Sequence, residues 1–446
     1  MVRGSKVSPS WSVAAVVSVN KAGALFAFSL FVASLTAACQ TGVGDASQST
    51  KPSESPSSNE AGDVVAQFAE HVNLDCETDG CLRSVTFLGA WGLTELQAYE
   101  ENNQTIDNGY SVWQAYYATQ NRYARVTVTV PDVEPRDPDG FSVVVNNPGT
   151  VGVAWHCAPG FSAYGTGLAG TFGARGYVGA AVDYPGLGSD GVHPYLVKES
   201  EGKASLDGLR ATRHLMALLD IPLKDKDAIV GLSQGGHATL AAAELHATYA
   251  PELPIMGFGA VAPSSLYREQ WTPYLQYEGP HMVFNALVNY AWHQHYNIDD
   301  TDSWAEGKRD EMVALLNNHC LFDMEGNGLY DVLPMVPTEI FSQELIDAFT
   351  QDDLSEFPAF RQGFEDNRLV GFESNASLKV FQGTLDELVP LSASDQLVTD
   401  LQAAGTDIDL VVVEGGTHAD TCFGMLGYVQ TGNPLCFAWL DDILSP

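Results

Sequence analysis

One serine in this sequence stands where a strand is predicted to turn sharply into a helix. The segment GLSQG at 231–235 fits the pattern G-x-S-x-G, with an apolar strand predicted directly before it and a helix directly after it. Glycines on both sides allow such a turn, because larger side chains would collide with the neighbouring strand and helix. The turn would expose the hydroxyl of Ser233 at the helix start, so we predict that Ser233 is a nucleophile.

A serine hydroxyl is inert at neutral pH unless a base removes its proton and an acid orients that base. Asp386 lies in the loop after a predicted strand, and His418 lies in the loop after the next predicted strand. Nucleophile, acid and histidine therefore follow one another on successive strand ends, in the order known from one class of serine hydrolase. We predict the catalytic triad Ser233, Asp386 and His418. Glu387 is the alternative acid, or otherwise an exposed surface residue.

Nucleophilic attack on a carbonyl creates an oxyanion that needs fixed N–H donors. The backbone N–H of Gln234, directly after the predicted nucleophile, is one candidate. The second donor should come from the loop after the predicted strand at 141–145, where Gly149 and Thr150 are the candidates. An ordinary Pro-Gly turn is the other interpretation of that loop.

Strand and helix patterns alternate along most of the chain, which predicts a mostly parallel sheet with helices on both faces. The predicted strands are 110–119, 122–130, 141–145, 177–182, 228–230, 256–262, 378–382 and 408–413. The predicted helices between them are 204–219, 237–250 and 392–404, together with one that ends near residue 176.

The stretch 265–377 breaks this alternation, because it is rich in aromatic residues and mostly helical in pattern. It is predicted to be an insertion that forms a cap over the carboxyl edge of the sheet. Its aromatic residues either form a roof that binds the acyl group of a substrate or simply pack as the core of the cap. They are Trp271, Tyr274, Phe284, Tyr290, Trp292 and Phe322.

Several motifs together resemble the secretory lipase family, which contains fungal lipase A-type enzymes and many bacterial relatives. They are DYPGLG at 183–188, HPYL at 193–196, GLSQGGH at 231–237 and YAPEL at 249–253, with the loops of Asp386 and His418. The resemblance covers the chain from about Tyr110 onward. The oxyanion loop departs from it, because NNPGT at 146–150 stands where many relatives have His-Gly-Thr.

The resemblance implies an α/β-hydrolase fold with an inserted α-helical cap. From the strand and helix pattern we place the core at 63–264 and 378–446 and the cap at 265–377. It also implies a carboxylic ester hydrolase, a lipase or esterase, that cleaves neutral apolar esters. A peptidase or amide hydrolase on the same fold, and a surface lipoprotein that only binds, are the alternatives. Neither a phosphate loop nor an H-E-x-x-H motif occurs in the sequence, and we expect neither a cofactor nor a metal.

Six cysteines follow residue 40, and six allow fifteen pairings. Cys76 and Cys81 flank a turn-like segment, and Cys422 and Cys436 flank a short loop, so each two could form a local disulfide. Cys157 and Cys320 would then be the long-range pair, and the resemblance implies that such a bond ties the core to the cap. Free buried thiols are the alternative.

The N-terminus has the pattern of a secretory signal, in which basic residues precede the apolar run 22–38. Ala-Ala-Cys at 37–39 resembles a bacterial lipobox, so residues 1–38 are predicted to be a signal peptide and Cys39 a lipidated membrane attachment. The absence of Asp at position 40 favours the outer membrane. Simple cleavage with secretion, or a permanent membrane helix, are the alternatives. Residues 39–62 are predicted to be a flexible Ser/Pro-rich tether.

The chain is strongly acidic, with 21 Lys and Arg against 56 Asp and Glu among its 446 residues and a net charge of −35. Removal of residues 1–38 takes away three basic residues and no acidic one, so the exported chain would carry −38. Such a surface repels phosphate backbones, which excludes nucleic acid as an expected partner. A small-molecule or lipid ester is the expected substrate, and the sequence is silent on the oligomeric state.

Overall fold

The computed structural model describes the part of the chain that carries the predicted triad and the predicted oxyanion loop. The described residues are 78–99, 107–265, 268, 272, 274–323, 326–419, 421–422 and 434–445. The predicted signal peptide and tether, with Cys39, and also Cys76 and Trp271, lie outside the described residues.

Within these residues nine strands form one sheet. They are β1 (Leu82–Trp91), β2 (Tyr110–Thr119), β3 (Arg122–Pro131), β4 (Val143–Asn147), β5 (Val178–Val182), β6 (Asp227–Leu232), β7 (Ile255–Val261), β8 (Ser377–Gly383) and β9 (Asp409–Val413). Their order across the sheet is β1-β2-β3-β5-β4-β6-β7-β8-β9. The pairs β1–β2, β2–β3 and β3–β5 are antiparallel, and the other five pairs are parallel. The prediction of a mostly parallel sheet is confirmed.

The described residues also form α-helices, some of which cover both faces of the sheet. They are α1 (Leu93–Tyr99), α2 (Ala163–Gly173), α3 (Lys198–Leu218), α4 (Gln234–Tyr249), α5 (Met282–Tyr296), α6 (Arg309–Asn318), α7 (Leu329–Val332), α8 (Pro337–Ile340), α9 (Gln343–Gln351), α10 (Pro358–Asp366), α11 (Leu391–Ala403) and α12 (Pro434–Leu444). The side chains of a strand point alternately to the two faces. In β4, Val143 and Val145 accordingly pack in the core that holds α3, α4 and α11, whereas Val144 packs in the core that holds α12.

The register of the parallel strands brings three strand ends to one edge of the sheet. Leu232 of β6 pairs with Val261 of β7, and Val261 pairs with Phe381 of β8. Gly383 and Val413, the last residues of β8 and β9, are also directly paired. Loops that leave these strands therefore begin side by side, and these are the loops in which the predicted nucleophile, acid and histidine occur.

The helices α5 to α10 all lie between β7 and β8, in the segment 265–377, which we call the helical insertion. Because β7 and β8 are paired, the chain leaves the sheet at the end of β7 and re-enters it as the strand next to β7. Most members of one hydrophobic cluster belong to the insertion, for example Met282, Trp292 and Phe360. Core residues Val153, Tyr195, Leu196 and Val197 join that cluster, so the insertion packs on the loops after β4 and β5.

Two of the disulfides predicted as possibilities are present, Cys157–Cys320 and Cys422–Cys436. Cys81 is also disulfide-bonded, while its predicted partner lies outside the described residues. Cys157 ends a short 3₁₀ helix in the core, and Cys320 lies in the helical insertion, so their bond ties the two parts together.

Several predicted boundaries differ from those of the structure. The helix predicted at 204–219 begins earlier, at Lys198, and β4 lies two residues later than the predicted strand at 141–145. The sequence analysis missed β1 and α12. β1 is an edge strand with two register irregularities, which weaken the alternation that would identify it. No helix in the described part of the chain is both long enough and apolar enough to cross a membrane.

Candidate active site

Ser233 occupies the turn between β6 and α4, as its sequence pattern predicts. Its backbone has φ +60° and ψ −115°, a sparsely populated conformation for a residue with a side chain. Hydrogen bonds hold this turn from both sides. The N–H of Ser233 donates to the carbonyl of Val261 at 2.9 Å, and the N–H of His237 donates to the carbonyl of Ser233 at 3.0 Å.

The glycines beside Ser233 are required by close backbone contacts. A Cβ on Gly235 would lie 2.1 Å from the carbonyl oxygen of Asn147, and one on Gly231 would lie 2.4 Å from the carbonyl oxygen of Gly235. Distances this short are forbidden to real carbon atoms, so any larger residue would push the two segments apart. The same contacts bring the loop after β4 directly against the turn of Ser233.

The loops of Asp386 and His418 are hydrogen-bonded to each other. The N–H of Leu385 donates to the carbonyl of Gly416 at 2.9 Å, and the N–H of Thr384 donates to the carbonyl of Val413 at 3.1 Å. These bonds extend the pairing of β8 and β9 beyond the strand ends, so the two side chains meet. His418 Nδ1 lies 2.9 Å from Asp386 Oδ2 and 3.0 Å from Oδ1, and both side chains are almost completely buried.

The structure distinguishes the two neighbouring acids that the sequence offered. Asp386 turns back towards its own loop, where its Oδ1 also accepts the N–H groups of Leu388 and Val389 at 2.9 and 2.8 Å. Glu387 is exposed, and its one hydrogen bond among the described residues is with the backbone N–H of His418, at 3.4 Å. Asp386 is therefore the carboxylate in contact with the imidazole ring.

The environment of Asp386 favours its ionised form. Burial by itself would raise the pKa of this carboxyl, but the hydrogen bond and charge of His418 and the N–H groups of Val389 and Leu388 outweigh burial. The pKa of Asp386 is therefore lower than that of an ordinary aspartate. An ionised carboxylate can accept a hydrogen bond from a protonated Nδ1 of His418. Nε2 is then the unprotonated ring nitrogen, which can take up a proton.

Gln382, near the end of β8, supports Asp386 and was missed by the sequence analysis. Its Nε2 donates to Asp386 Oδ2 at 2.9 Å and to the carbonyl of Val389 at 2.9 Å, and its Oε1 accepts the hydroxyl of Ser394 at 2.6 Å. Gln382 is completely buried. A polar residue at the end of a buried apolar strand, four residues before the acid, was the signal that could have identified it.

Ser233 opens into a cleft between the core and the helical insertion. The lining residues are Tyr195, Leu196, Ser233, Ser264, Tyr274, Pro280, His281, Phe284, Asn285, Glu387, Leu388 and Val389. His418 lines a smaller neighbouring cavity with Leu232, the residue before Ser233. The predicted nucleophile and histidine thus lie on adjacent cavities at the same sheet edge. Within the described residues the hydrogen bonds of the His418 ring go to Asp386.

The candidate oxyanion loop lies close to the turn of Ser233, but its groups already have partners. The backbone of Gly149 hydrogen-bonds to the hydroxyl of Tyr164, which is buried. Thr150 Oγ1 lies 2.8 Å from the hydroxyl of Tyr195, one of the residues that line the cleft. Gln234, the other candidate donor, is the first residue of α4 and is completely buried.

A buried polar cluster lies behind the turn of Ser233. Gln234 Nε2 lies 2.7 Å from both Glu201 Oε1 and His193 Nε2, and Glu201 Oε1 also accepts the N–H of Leu196 at 2.8 Å. His237 Nε2 is 4.0 Å from the other oxygen of Glu201. Glu201 was not expected from the sequence, because nothing in its local sequence distinguishes it from Glu199, an exposed acid of the same helix.

Burial sets the charge of this cluster. It raises the pKa of Glu201 to about 8 and lowers the pKa values of His193 and His237 to about 3. The hydrogen bonds of Glu201 with Gln234 and Leu196 oppose its shift without reversing it. The three groups are therefore neutral near pH 7. The first turn of α4 accordingly packs against polar side chains that carry no charge.

The aromatic residues of the helical insertion divide into two groups. Tyr274 and Phe284 line the cleft at Ser233. Tyr290 and Trp292 are buried in the hydrophobic cluster of the insertion, and Phe322 packs against that cluster. Tyr274 and Phe284 also pack against this cluster, so they are shared by the cleft and the cluster, whereas Trp292 lies inside the cluster.

One group of residues in the described part of the chain has the spacing of a metal site. It consists of His156, Cys157 and Cys320. The two cysteines form a disulfide and so offer no thiolate ligand. This group does not fit a metal ion.

Comparison with known proteins identifies the family. The family model for secretory lipases matches residues 170–445, more than half of the chain. The chain belongs to the secretory lipase family. This match includes the turn of Ser233, the loops of Asp386 and His418, and the whole helical insertion, and it confirms the family predicted from the motifs.

Two curated relatives of this family member match shorter segments. Lipase A of Moesziomyces aphidis is 32% identical over 170 residues, which cover 34% of each chain. Trichothecene C-3 esterase of Fusarium sporotrichioides is 26% identical over 254 residues, which cover 55% of this chain and 52% of that protein. The chain thus spans about a third and about half the length of these relatives.

Solved structures of other proteins match more of the chain. The rice cell wall degrading esterase LipA from Xanthomonas oryzae superposes with a TM-score of 0.67 at 21% identity, covering 82% of this chain and 98% of that one. Candida antarctica lipase A in its closed state superposes with a TM-score of 0.57 at 18% identity, covering 77% and 79%. These matches, with the observed sheet, confirm the α/β-hydrolase fold.

Proposed function

We propose that this protein is a serine carboxylic ester hydrolase, a lipase or esterase, with Ser233 as nucleophile, His418 as general base and Asp386 as the acid that orients it. One observation carries the proposal. The buried carboxylate of Asp386 holds His418 Nδ1 at 2.9 Å, in loops that leave the sheet edge where the turn of Ser233 stands. Membership of the secretory lipase family supports the same reaction.

In the proposed reaction, Ser233 Oγ attacks the carbonyl carbon of the ester and His418 Nε2 takes up the hydroxyl proton. The imidazolium that forms is stabilised by the ionised Asp386, whose lowered pKa fits this role. The tetrahedral intermediate collapses to an acyl-enzyme, and His418 gives its proton to the leaving alcohol. A water molecule, deprotonated by His418, then hydrolyses the acyl-enzyme and restores Ser233.

The oxyanion would be stabilised by the backbone N–H of Gln234 and by a second donor from the loop of Gly149 and Thr150. The bond between Gly149 and the Tyr164 hydroxyl means that Gly149 would have to exchange this partner for the oxyanion. The hydroxyl of Thr150, which pairs with that of Tyr195 at the cleft, is an alternative donor in the same loop.

We propose that the helical insertion acts as a cap and that Tyr274 and Phe284 form its roof over the substrate. The lining of the cleft supports a neutral ester, because it includes Glu387 and, among the described residues, neither Lys nor Arg. An anionic substrate would meet repulsion there.

We also propose that the protein is exported, with residues 1–38 as signal peptide and Cys39 as a lipidation site. The observed disulfides, Cys157–Cys320 and Cys422–Cys436, support an oxidising compartment. The secretory character of the family supports the same localisation.

The first prediction is that Ser233→Ala loses hydrolysis of p-nitrophenyl butyrate by roughly 10³-fold or more, because the attacking oxygen is removed. Ser355→Ala, at an exposed serine of the insertion, is the matched control and should retain full activity. A fluorophosphonate should label the wild type and the control but not Ser233→Ala. If wild type and Ser233→Ala hydrolyse the ester equally, the proposed nucleophile is wrong.

A matched ester and amide pair separates the proposed esterase from an amide hydrolase on the same fold. The ester should have the higher kcat/KM. A higher kcat/KM for the amide would contradict an ester hydrolase, and no turnover and no labelling would indicate a protein that only binds.

A further inference from the structure

Two asparagines of α5 are buried without hydrogen-bond partners. Asn285 and Asn289 are one helical turn apart and are 2% and 0% exposed. In the described part of the chain, neither the oxygen nor the nitrogen of either amide group has a partner. The large majority of buried polar side-chain atoms in proteins are hydrogen-bonded, so two such amides on one helix face need an explanation.

The surroundings of these amides make a purely structural role costly. Their neighbours on α5 include Met282, Ala286 and Val288, which pack in the hydrophobic cluster of the insertion. A leucine at either position would continue that cluster without the cost of burying unpaired donors and acceptors. The asparagines are therefore poor choices for the core of the insertion.

Asn285 also lines the cleft into which Ser233 opens, together with His281 and Phe284 from the start of the same helix region. The side chain of His281 is already occupied, because its Nε2 lies 3.0 Å from the carbonyl of Tyr274 and 3.1 Å from that of Tyr277. Asn285 thus supplies unpaired donors and acceptors to an otherwise mostly apolar wall.

The chemistry of an amide group selects the kind of group that it can bind. An amide offers both donors and an acceptor, and a hydroxyl, which donates and accepts, can satisfy both sides. A carboxylate or phosphate only accepts, and Glu387 in the same lining would repel it. The lining offers no Lys or Arg among the described residues to balance an anion.

We propose that Asn285, with Asn289 behind it, forms a polar subsite of this cleft that binds a neutral hydroxyl-bearing group of the ester substrate. The subsite rests on the proposed ester hydrolysis at Ser233, since it selects among esters. It predicts a preference for esters with a hydroxyl on the acyl chain or on the alcohol over esters of plain hydrocarbon chains.

The test compares two pairs of esters that differ in hydroxyl groups. One pair is p-nitrophenyl 6-hydroxyhexanoate and p-nitrophenyl hexanoate, and the other is glycerol 1-monobutyrate and propyl butyrate. In at least one pair the wild type should have a kcat/KM about tenfold higher for the hydroxylated ester, because buried polar groups reject an analogue that leaves them unpaired. The pair that shows the preference identifies the acyl or the alcohol side.

Variants assign the preference to the two asparagines. Asn285→Leu should reduce the ratio of the two kcat/KM values to about one, and Asn289→Leu should reduce it less. Asn318→Leu, at an exposed position at the end of α6, is the matched control and should leave the ratio unchanged. Circular dichroism and thermal melting show whether each variant is folded.

Two results would overturn the subsite. One is a wild type without preference in either pair. The other is a folded Asn285→Leu protein whose ratio stays that of the wild type, which would mean that the amides hold only structural water.

A binding measurement separates this proposal from the proposed function. Calorimetry with Ser233→Ala should show that hexane-1,2-diol binds at least several-fold more tightly than methyl pentyl ether, and that Asn285→Leu removes the difference. This result without ester hydrolysis by the wild type would reject the function and support the subsite. Hydrolysis with equal binding of the two compounds would reject the subsite alone.

Discussion

At the scale of single residues, the position of Asp386 depends on contacts that its own loop cannot provide. Gln382 ties the carboxylate to the end of β8, and Ser394 of α11 fixes Gln382 in turn. The backbone N–H groups of Leu388 and Val389 hold the other oxygen. Residues of β8, of the loop after it and of α11 therefore together hold the side chain of Asp386 in its orientation towards His418.

The role of Gln382 can be tested by Gln382→Leu. Loss of its hydrogen bonds to Asp386, Val389 and Ser394 should let Asp386 rotate, so kcat should fall about tenfold. KM should change little, because Gln382 is buried and is not among the residues that line the cleft. Gln396→Leu, at an exposed position of α11, is the control and should have wild-type kcat. A folded Gln382→Leu protein with unchanged kcat, or with a raised KM alone, would contradict this positioning role.

At the scale of elements, the turn of Ser233 is built where α3 and α4 meet. Glu201 in the first turn of α3 contacts Gln234, the first residue of α4, and the loop residues His193 and Leu196. Because these groups are neutral near pH 7, their hydrogen bonds join the two helices without the cost of a buried charge. The arrangement makes the stability of the fold depend on pH.

Burial of Glu201 predicts a loss of stability with rising pH. The folded protein keeps the proton up to a pKa of about 8, whereas the unfolded chain releases it near 4.5, the usual value. Between these two values the unfolded state binds fewer protons, so the contribution of Glu201 to the free energy of unfolding falls as pH rises. The slope for one group is about 1.4 kcal/mol per pH unit at most.

The measurement is urea unfolding of the wild type and Glu201→Gln from pH 4 to pH 9. Between about pH 4.5 and pH 8, the free energy of unfolding of the variant should rise relative to that of the wild type. Below and above these two values the difference should be constant. The lowered pKa values of His193 and His237 give the opposite slope, between about 3 and 6.5, but to a similar extent in both proteins. Glu199→Gln, which removes an exposed acid of the same helix, is the matched control and should not reproduce the change expected for Glu201→Gln. A constant difference for Glu201→Gln would contradict its burial as a neutral acid.

At the scale of the whole molecule, one disulfide connects the helical insertion to the core. Its cysteine in the insertion, Cys320, lies near the middle of the segment 265–377, far in sequence from both ends of the insertion. Cys157 and Cys320 are separated by 163 residues, whereas Cys422 and Cys436 are separated by 14. In the loop-entropy model a disulfide stabilises by restricting the unfolded chain, and more so for longer loops. The bond Cys157–Cys320 should therefore contribute more to the free energy of unfolding than the bond Cys422–Cys436.

Replacing both cysteines of each bond with serine tests this order. Cys157→Ser with Cys320→Ser should lower the free energy of unfolding by up to about 5 kcal/mol, and Cys422→Ser with Cys436→Ser by up to about 3 kcal/mol. Guanidinium unfolding without reductant measures both values against the wild type. A larger loss for the second pair would show that strain or local contacts, rather than loop length, determine the contribution of these bonds.

The sequence predicted those parts of the site that depend on local pattern. The turn at Ser233 follows from glycines with a strand before and a helix after them, and the loops of Asp386 and His418 follow the strands β8 and β9. It missed β1, whose irregular alternation reflects its edge position. It also missed Glu201, because its partners Gln234 and His193 belong to other elements. Gln382 was missed although its place near the end of β8, four residues before the acid, was a local signal.

The sequence by itself determined the alternation of strands and helices in the core from β2 to β9, the sharp turn at Ser233, the family, and the loops in which an acid and a histidine occur. The tertiary structure alone decided that Asp386 rather than Glu387 contacts His418, that Tyr274 and Phe284 face the cleft while Trp292 fills the core of the insertion, and that Glu201 is neutral. The physical reason is that the interactions involved act over different distances along the chain. Periodicity and turn chemistry act over a few residues, whereas burial and the pKa of a side chain depend on every element that packs around it.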